Sequence, residues 1–564
     1  MTLTFTELLD RMPLVKLAVP FIAGMLLARC VIDMWAVSEG LLWGAGFVLC
    51  LCVFAAFYAG KVAERKTHKQ ADAGWPVMVF GTSFNLLMVV AGFLLFTHAY
   101  RSSGDKVPIE GCAVEGVLTG VPQEKAKTWA VSVRLDNGGD LLAYVAKDQW
   151  RSDWPWEAGR RVSLTPFYMR PTCPSVPDTS DTSGQFSSYR SYLFYKGVVA
   201  TCYVFPGGCT LLDTLAAAER EQDWTLRAAR LRNTMHRLYH EAFEAQTASV
   251  VEAMTIGEKA SLDRQLKADF ATAGISHLLA LSGFHLSILL TILNVLFMRF
   301  WLPLRLRRTC VLLLIPVVWI YTFFVGAPAS LVRAAVMCTL LQVGMAFAWT
   351  TQMPNSLAAA ALIMLAINPL SLMQVGFQLS FASMLGIACI AQPCMKRWWD
   401  WREEKWTSGM GRQRWKAATL SLLGFLLSGV IVTVAASLFT LPLVAFHFGR
   451  VPLLSVLSNL LASFLSLLIM WGVVLWWLCT LVGVGSNIVG RGIEGLVGAL
   501  TNWTERVAGL PLASVSFELQ VWELIPLYAA LFAALAFSVE RRISLLYVCL
   551  LNLLAFFLMQ LLIH

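Results

Sequence analysis

Charge is scarce in this chain. Only 14% of its 564 residues are Asp, Glu, Lys or Arg, against about a quarter in soluble domains, and that excludes an ordinary soluble protein. Its thirteen cysteines show no metal-ligand spacing, so no zinc-binding module is assigned. No small-x-small cleavage site follows the apolar stretch 21–27. Arg29 beside Cys30 spoils a lipoprotein box, so the first apolar run is expected to remain as an uncleaved span.

Hydrophobic residues make up 57% of the chain and the mean hydropathy is +0.64. Crossing ~30 Å of hydrocarbon takes about 20 apolar residues. Candidate runs stand at 17–32, 41–59, 77–99, 275–298, 309–325, 331–349, 355–370, 374–394, 418–438, 452–485, 521–538 and 543–563. Roughly ten spans are expected, with 452–485 too long for one span and short for two. Basic clusters at 61–69, 305–308, 396–416 and Arg541-Arg542 mark cytoplasmic loops by the positive-inside rule, which places 100–270 outside. Residues 1–270 balance in charge, and the formal excess of +9 falls in 271–564. The basic loops account for most of it, and a path for a polyanion is the alternative.

Between 109 and 172 the pattern changes to short alternating strands around 114–118, 130–135, 141–145 and 161–164, with a turn at Asn137-Gly138-Gly139. This predicts a small antiparallel barrel or sandwich, and a five-stranded OB-like barrel fits its size. Trp129 and Tyr144 are candidate stacking residues for single-stranded nucleic acid, although near-neutral charge favours a structural role. Cys112, Cys173, Cys202 and Cys209 lie in this exported segment, where disulfides can form. From 215 to 267 a basic, amphipathic helical segment is expected to lie on the membrane surface or against its neighbour. A similar surface helix is expected at 495–510.

Four stretches place polar groups inside apolar runs. The first, Gly274 to Leu286, carries His277, Ser282, Gly283 and His285, and a helix puts Ser282 and His285 on one face. The second, Phe324 to Ala335, breaks at Gly326-Ala327-Pro328 before Ser330 and Arg333. Broken helices at membrane depth usually line cavities, whereas an Arg at a span end also snorkels to the interface. The third follows Asn368-Pro369 and loads Gln378 and Ser380 into a span. The fourth holds His447, Arg450 and Asn459 among Pro and Gly interruptions. Helix–helix hydrogen bonding is the plain alternative for each.

In this order, His277-Leu278-Leu279-Ala280-Leu281-Ser282-Gly283-Phe284-His285, the small-residue loop before Arg333-Ala334, Gly376-Phe377-Gln378-Leu379-Ser380-Phe381 after Asn368-Pro369, and Phe448-Gly449-Arg450-Val451-Pro452 with Asn459-Leu460-Leu461 resemble the ComEC-type competence protein family over about 230–510. The resemblance implies a DNA internalisation channel of the bacterial inner membrane. It also implies a periplasmic DNA receptor and a cytosolic ATPase as partners. Many members end in a metallo-β-lactamase-like domain. No His-x-His-x-Asp cluster occurs here, so a form without that domain is expected, with any nuclease a separate protein.

The fold class expected is thus a polytopic α-helical membrane protein with an inserted extracytoplasmic small β-barrel (OB-like) domain. Its expected divisions are 1–100 (three spans), 101–210 (β-rich), 211–270 (surface helices) and 271–564 (channel). The expected function is import of single-stranded DNA, without enzymatic activity, cofactor or metal, in contact with membrane lipid. The path residues would be His277, Ser282, Gly283, His285, Ser330, Arg333, Gln378, Ser380, His447, Arg450 and Asn459. A secondary transporter of small anions or lipid precursors and an intramembrane hydrolase using Ser282 and His285 are the alternatives.

Overall fold

A computed structural model describes residues 12–32, 74–104, 106, 108, 113–119, 122–125, 127–147, 159–173, 186–205, 208–212, 224–298, 304–347, 352–407, 414–540 and 542–563. The apolar run 41–59 and Cys112 lie outside the described residues. The chain divides into two compact units, one of residues 12–230 with 358–374 and one of residues 1–11, 231–357 and 375–564.

In the first unit, α1 (Pro13–Val31) packs against α2 (Gly74–Gly104) through glycine. A Cβ at Gly24 would fall 1.9 Å from Val89 O and one at Gly92 2.1 Å from Phe21 O, so the two backbones touch where no side chain fits. A β-sheet follows, built from β1 (Val114–Leu118), β2 (Gln123–Glu124), β3 (Thr128–Leu135), β4 (Asp140–Ala146), β5 (Arg161–Leu164), β6 (Tyr168–Pro171), β7 (Val198–Val204) and β8 (Cys209–Leu212), with α3 (Phe186–Tyr195) before β7. The order is β6-β7-β4-β3-β1-β5-β8, and β2 pairs with β3. β4 and β7 run parallel; the other pairs are antiparallel.

All four expected strand segments are strands. The β3–β4 turn also stands where expected: Gly138 takes φ +80° and Asn137 Oδ1 accepts from the Gly139 amide at 3.1 Å. Val131, Val133, Leu135, Leu141, Ala143 and Val145 are buried, because the period of two turns alternate residues inward. Cys202 and Cys209 are free, buried thiols, and Cys173 is buried as well. Burial pushes Cys202 up to about 12, with Cys209 adding to it, and burial pushes Cys209 up to about 11.

The second unit is helical. α4 (Trp224–Ala242) leads into it, and α5 (Ala245–Thr255) and α6 (Arg264–Thr272) follow. α7 (Gly283–Met298), α8 (Leu304–Phe324) and α9 (Ala329–Phe347) come next. α10 (Met353–Ile367) crosses from this unit into the first, which also holds the 3-10 turn (Pro369–Met373); α11 (Val375–Gly386), again in the second unit, continues through a π-helical turn (Ile387–Ala391) into α12 (Gln392–Thr407). α13 (Arg414–Phe448), β9 (Arg450–Pro452), α14 (Ser455–Val482), α15 (Ser486–Ala508), β10 (Ser514–Ser516), α16 (Val521–Glu540) and α17 (Ile543–Ile563) complete the chain.

Among the described residues of the whole chain, eight helices are long and apolar enough to cross a membrane, and three shorter apolar ones lie at Gly283–Leu293, Leu312–Phe324 and Met353–Ile367. The ambiguous run 452–485 is one helix, α14, of 28 residues. It ends where Gly483 takes φ +77°, the left-handed cap glycine accepts most readily. α15 turns Ile493, Val497, Leu500, Thr504 and Val507 inward, so the expected surface helix is amphipathic and begins earlier than 495. The described part of the expected surface segment 215–267, from Trp224 on, forms α4, α5 and the start of α6, and the end of α4 packs Tyr239 and Phe243 on Trp476.

Candidate functional site

The segment entering α7 is anchored at Gly274. α6 starts at Asp263, whose carboxylate accepts from the Gln265 and Leu266 amides, and it closes at Gly274 with φ +76°. A Cβ there would sit 2.8 Å from Ser455 Cβ and 2.9 Å from Pro452 Cβ, so glycine lets the segment lie on the start of α14. His277 stands near the Asn459 side chain and the Gly274 backbone. Asn459 donates to Thr433 Oγ1 at 3.2 Å and accepts from Ser463 Oγ at 3.0 Å. One amide therefore ties α13 to α14.

Ser282 and His285 form the start of α7. Ser282 Oγ accepts from the Phe284 amide at 3.3 Å, while His285 Nδ1 accepts from the Ser282 amide at 3.3 Å and lies 3.1 Å from Ser282 Oγ. This is a capping box with histidine in the place of the usual Glu or Gln. The same contact engages His285 Nδ1 in holding the helix end. His285 is fully buried, and its Nε2 has no hydrogen-bond partner among the described residues.

α9 arrives after Gly326 (φ +96°) and Ala327 (φ +50°). Ser330 Oγ donates to Leu281 O at 2.8 Å. Gly283 lets α9 approach: a Cβ there would meet Arg333 Nη2 at 3.3 Å and Ala334 Cβ at 3.1 Å. Arg333 is 6% exposed. Its Nη1 donates to Ser380 O, and its guanidinium carbon stands 5.9 Å from the Phe381 ring centre. The snorkelling alternative for Arg333 does not hold, because the charge is enclosed by protein.

On α11, Gln378 Oε1 accepts from His447 Nε2 of α13 at 2.8 Å. The helices approach at Gly386, where a Cβ would fall 2.2 Å from Ala435 O. Arg450 stands apart on the exposed side of β9, opposite Ser516. The structure thus gathers Ser282, Gly283, His285, Ser330, Arg333 and Ser380 at one junction, brings His277 near Asn459, and joins Gln378 to His447. Thr433 and Phe381 complete these groups without having been singled out; a hydroxyl in the apolar run 418–438 was the available signal for Thr433.

The first unit carries a separate aromatic face. Tyr168, Tyr203 and Tyr144 are register neighbours across β6, β7 and β4. Tyr144 Oη lies 3.5 Å from Tyr189 Oη, and burial followed by that hydrogen bond raises the Tyr144 phenol above its usual value. Tyr189 and Tyr192 stack at 6.3 Å. Phe167, 69% exposed, lies 4.2 Å from Phe205. Trp129, by contrast, packs against the sheet core.

The Competence protein family model matches residues 254–542, which takes in every candidate path residue. ComE operon protein 3 of Bacillus subtilis (strain 168) is 22% identical over 375 residues, a stretch that spans 66% of this chain and 41% of that protein. The chain therefore covers well under two thirds of that relative's length. No solved structure matches it. Because the family match covers more than half of the chain and contains the ordered motifs whose residues meet between α7, α9, α11, α13 and α14, the chain belongs to the Competence protein family.

Proposed function

We propose that the chain is a multi-pass channel of the bacterial inner membrane that imports single-stranded DNA during natural transformation and performs no chemistry on it. The observation that carries this reading is Arg333. Its guanidinium is enclosed where interrupted helices meet, and it donates to a backbone carbonyl. Among the described residues no carboxylate pairs with it. A charge held this way is available to a phosphate, since exchanging a carbonyl for an anion strengthens the bond. Few such charges are needed, because many would trap the strand.

The β-rich domain is read as the OB-like barrel that meets DNA outside. Supporting this, β1, β3 and β4 form a meander, β5 adds to β1 and β7 lies parallel to β4. Its tyrosine face suits stacking on bases, worth about 1–3 kcal/mol per base. A periplasmic DNA receptor, a cytosolic ATPase and a separate nuclease belong to the same proposal.

A strain lacking the protein, given labelled DNA, tests it. The intact chain should restore uptake, and Arg333→Gln at equal abundance should restore it on the order of tenfold less well, the equivalent of about 1.4 kcal/mol. Full rescue by the variant would remove Arg333 from the path. No rescue by the intact, inserted chain would remove the DNA reading.

A further inference from the structure

Outside the path residues, one cluster joins two helices and a loop of the second unit. His236 and His240 lie one turn apart on α4, with ring centres 4.4 Å apart. Both face Glu252 of α5: His236 Nδ1 is 2.7 Å from Glu252 Oε1 and His240 Nε2 is 3.4 Å from Glu252 Oε2. One ligand atom from each residue lies within 4.8 Å of the others. Ser261 Oγ donates to Glu252 Oε2 at 2.7 Å, fixing the carboxylate.

The burial is uneven. The Glu252 side chain is 0% exposed, while both imidazoles are 31% exposed. A carboxylate removed from water needs positive charge beside it. Among the described residues its ion pairs are with these two imidazoles alone. A divalent cation supplies the charge that neutral imidazoles do not. Two histidines and one glutamate are a zinc ligand set that leaves a fourth position open. With metal–ligand bonds of 2.0–2.2 Å, neighbouring donors in a tetrahedron stand about 3.3 Å apart. His240 Nε2 at 3.4 Å from Oε2 meets this, His236 Nδ1 at 2.7 Å from the other oxygen, Oε1, needs to open by about half an ångström, and one donor atom per residue already lies within 4.8 Å of the others.

We infer that His236, His240 and Glu252 form a binding site for a zinc-class divalent cation, with Ser261 orienting the carboxylate and the fourth position open on the exposed side of the imidazoles. The site is independent of the DNA path. It ties the end of α4 to α5 and to the 256–261 loop.

Direct metal binding tests it. The full chain, purified in detergent with an affinity tag free of histidine and stripped with chelator, is titrated with Zn2+ and, separately, with Co2+. One equivalent of Zn2+ should remain after dialysis, and Co2+ should give the strong visible absorption of a tetrahedral site, erased by Zn2+. His236→Gln with His240→Gln should weaken binding by about 100-fold or more, and Ser261→Ala by about 10- to 100-fold. Absence of stoichiometric uptake by the wild-type chain, or equal uptake by the double variant, would overturn the site and leave an imidazolium–carboxylate pair only. The wild-type titration decides the matter even if a variant fails to fold.

Discussion

At the scale of single residues, the positions that matter most carry the least side chain. Gly274 combines a left-handed backbone with a contact that leaves no space for a Cβ, so Gly274→Ala meets strain and overlap together. Unfolding of the detergent-solubilised protein should show a loss of about 1–3 kcal/mol. Gly138 has φ +80° and open space around it, so Gly138→Ala should cost only the strain, about 1 kcal/mol. Equal costs at the two positions would mean that packing against α14 contributes nothing. His285 carries the opposite lesson. A Ser and a His three apart in an apolar run resemble the parts of a catalytic or path-lining pair, and the structure uses their first bonds to close a helix end. Arg333 was legible as special from the Gly-Pro break before it. Its enclosure was not, because Ser380 and Phe381 lie some fifty residues further along the chain.

At the scale of elements, close helix pairs are made by glycine. Gly92→Ala should push α1 and α2 apart and cost about 1–3 kcal/mol in thermal unfolding. Gly81→Ala on the same helix α2 meets nothing within 4 Å and should be neutral or stabilising by up to about 1 kcal/mol. If the two substitutions behave alike, the contact between the α1 and α2 backbones is not what holds the pair. Runs of about 20 apolar residues were visible in the sequence, and most became helices where expected. The run 452–485 was not resolvable by length, since a helix of 28 residues is about 42 Å long, more than one hydrocarbon thickness. Only the left-handed Gly483 and Gly485 show where α14 stops and the amphipathic α15 starts.

At the scale of the whole molecule, the β-rich domain has a chemical signature that can be read without separating it from the spans. Its thiols Cys202 and Cys209 keep their protons to about 12 and 11 in the folded chain, against an ordinary 9.0. At pH 8 a thiol at 12 is ionised in only about one molecule in ten thousand, so alkylation of the native protein should spare both cysteines and label both after denaturation. Between about pH 9 and 11 the unfolded chain gives up these protons and the native one holds them, so stability is intact below 9 and falls as the pH rises through that window. Pulsed alkylation in denaturant read by mass spectrometry follows both. Label that appears on native Cys202 at pH 8, or an unfolding midpoint unchanged from pH 9 to 11, would contradict this. A cysteine that labels only after reduction would instead reveal a disulfide.

Some properties follow from the sequence because they are local or statistical. Long apolar runs make membrane-length helices, alternation makes the strands 114–118 to 161–164, Asn137-Gly138 makes their turn, and the order of four polar motifs points to the competence family. The tertiary structure decided what those polar groups do. The Asn459 amide that joins α13 to α14, the carbonyl that holds Arg333, and the meeting of His236 and His240 with Glu252 are contacts between residues far apart or on different elements. In the interior, a polar group must find a partner once water is gone. Which partner it finds is set by the packing of helices against one another, a quantity that no single stretch of sequence contains.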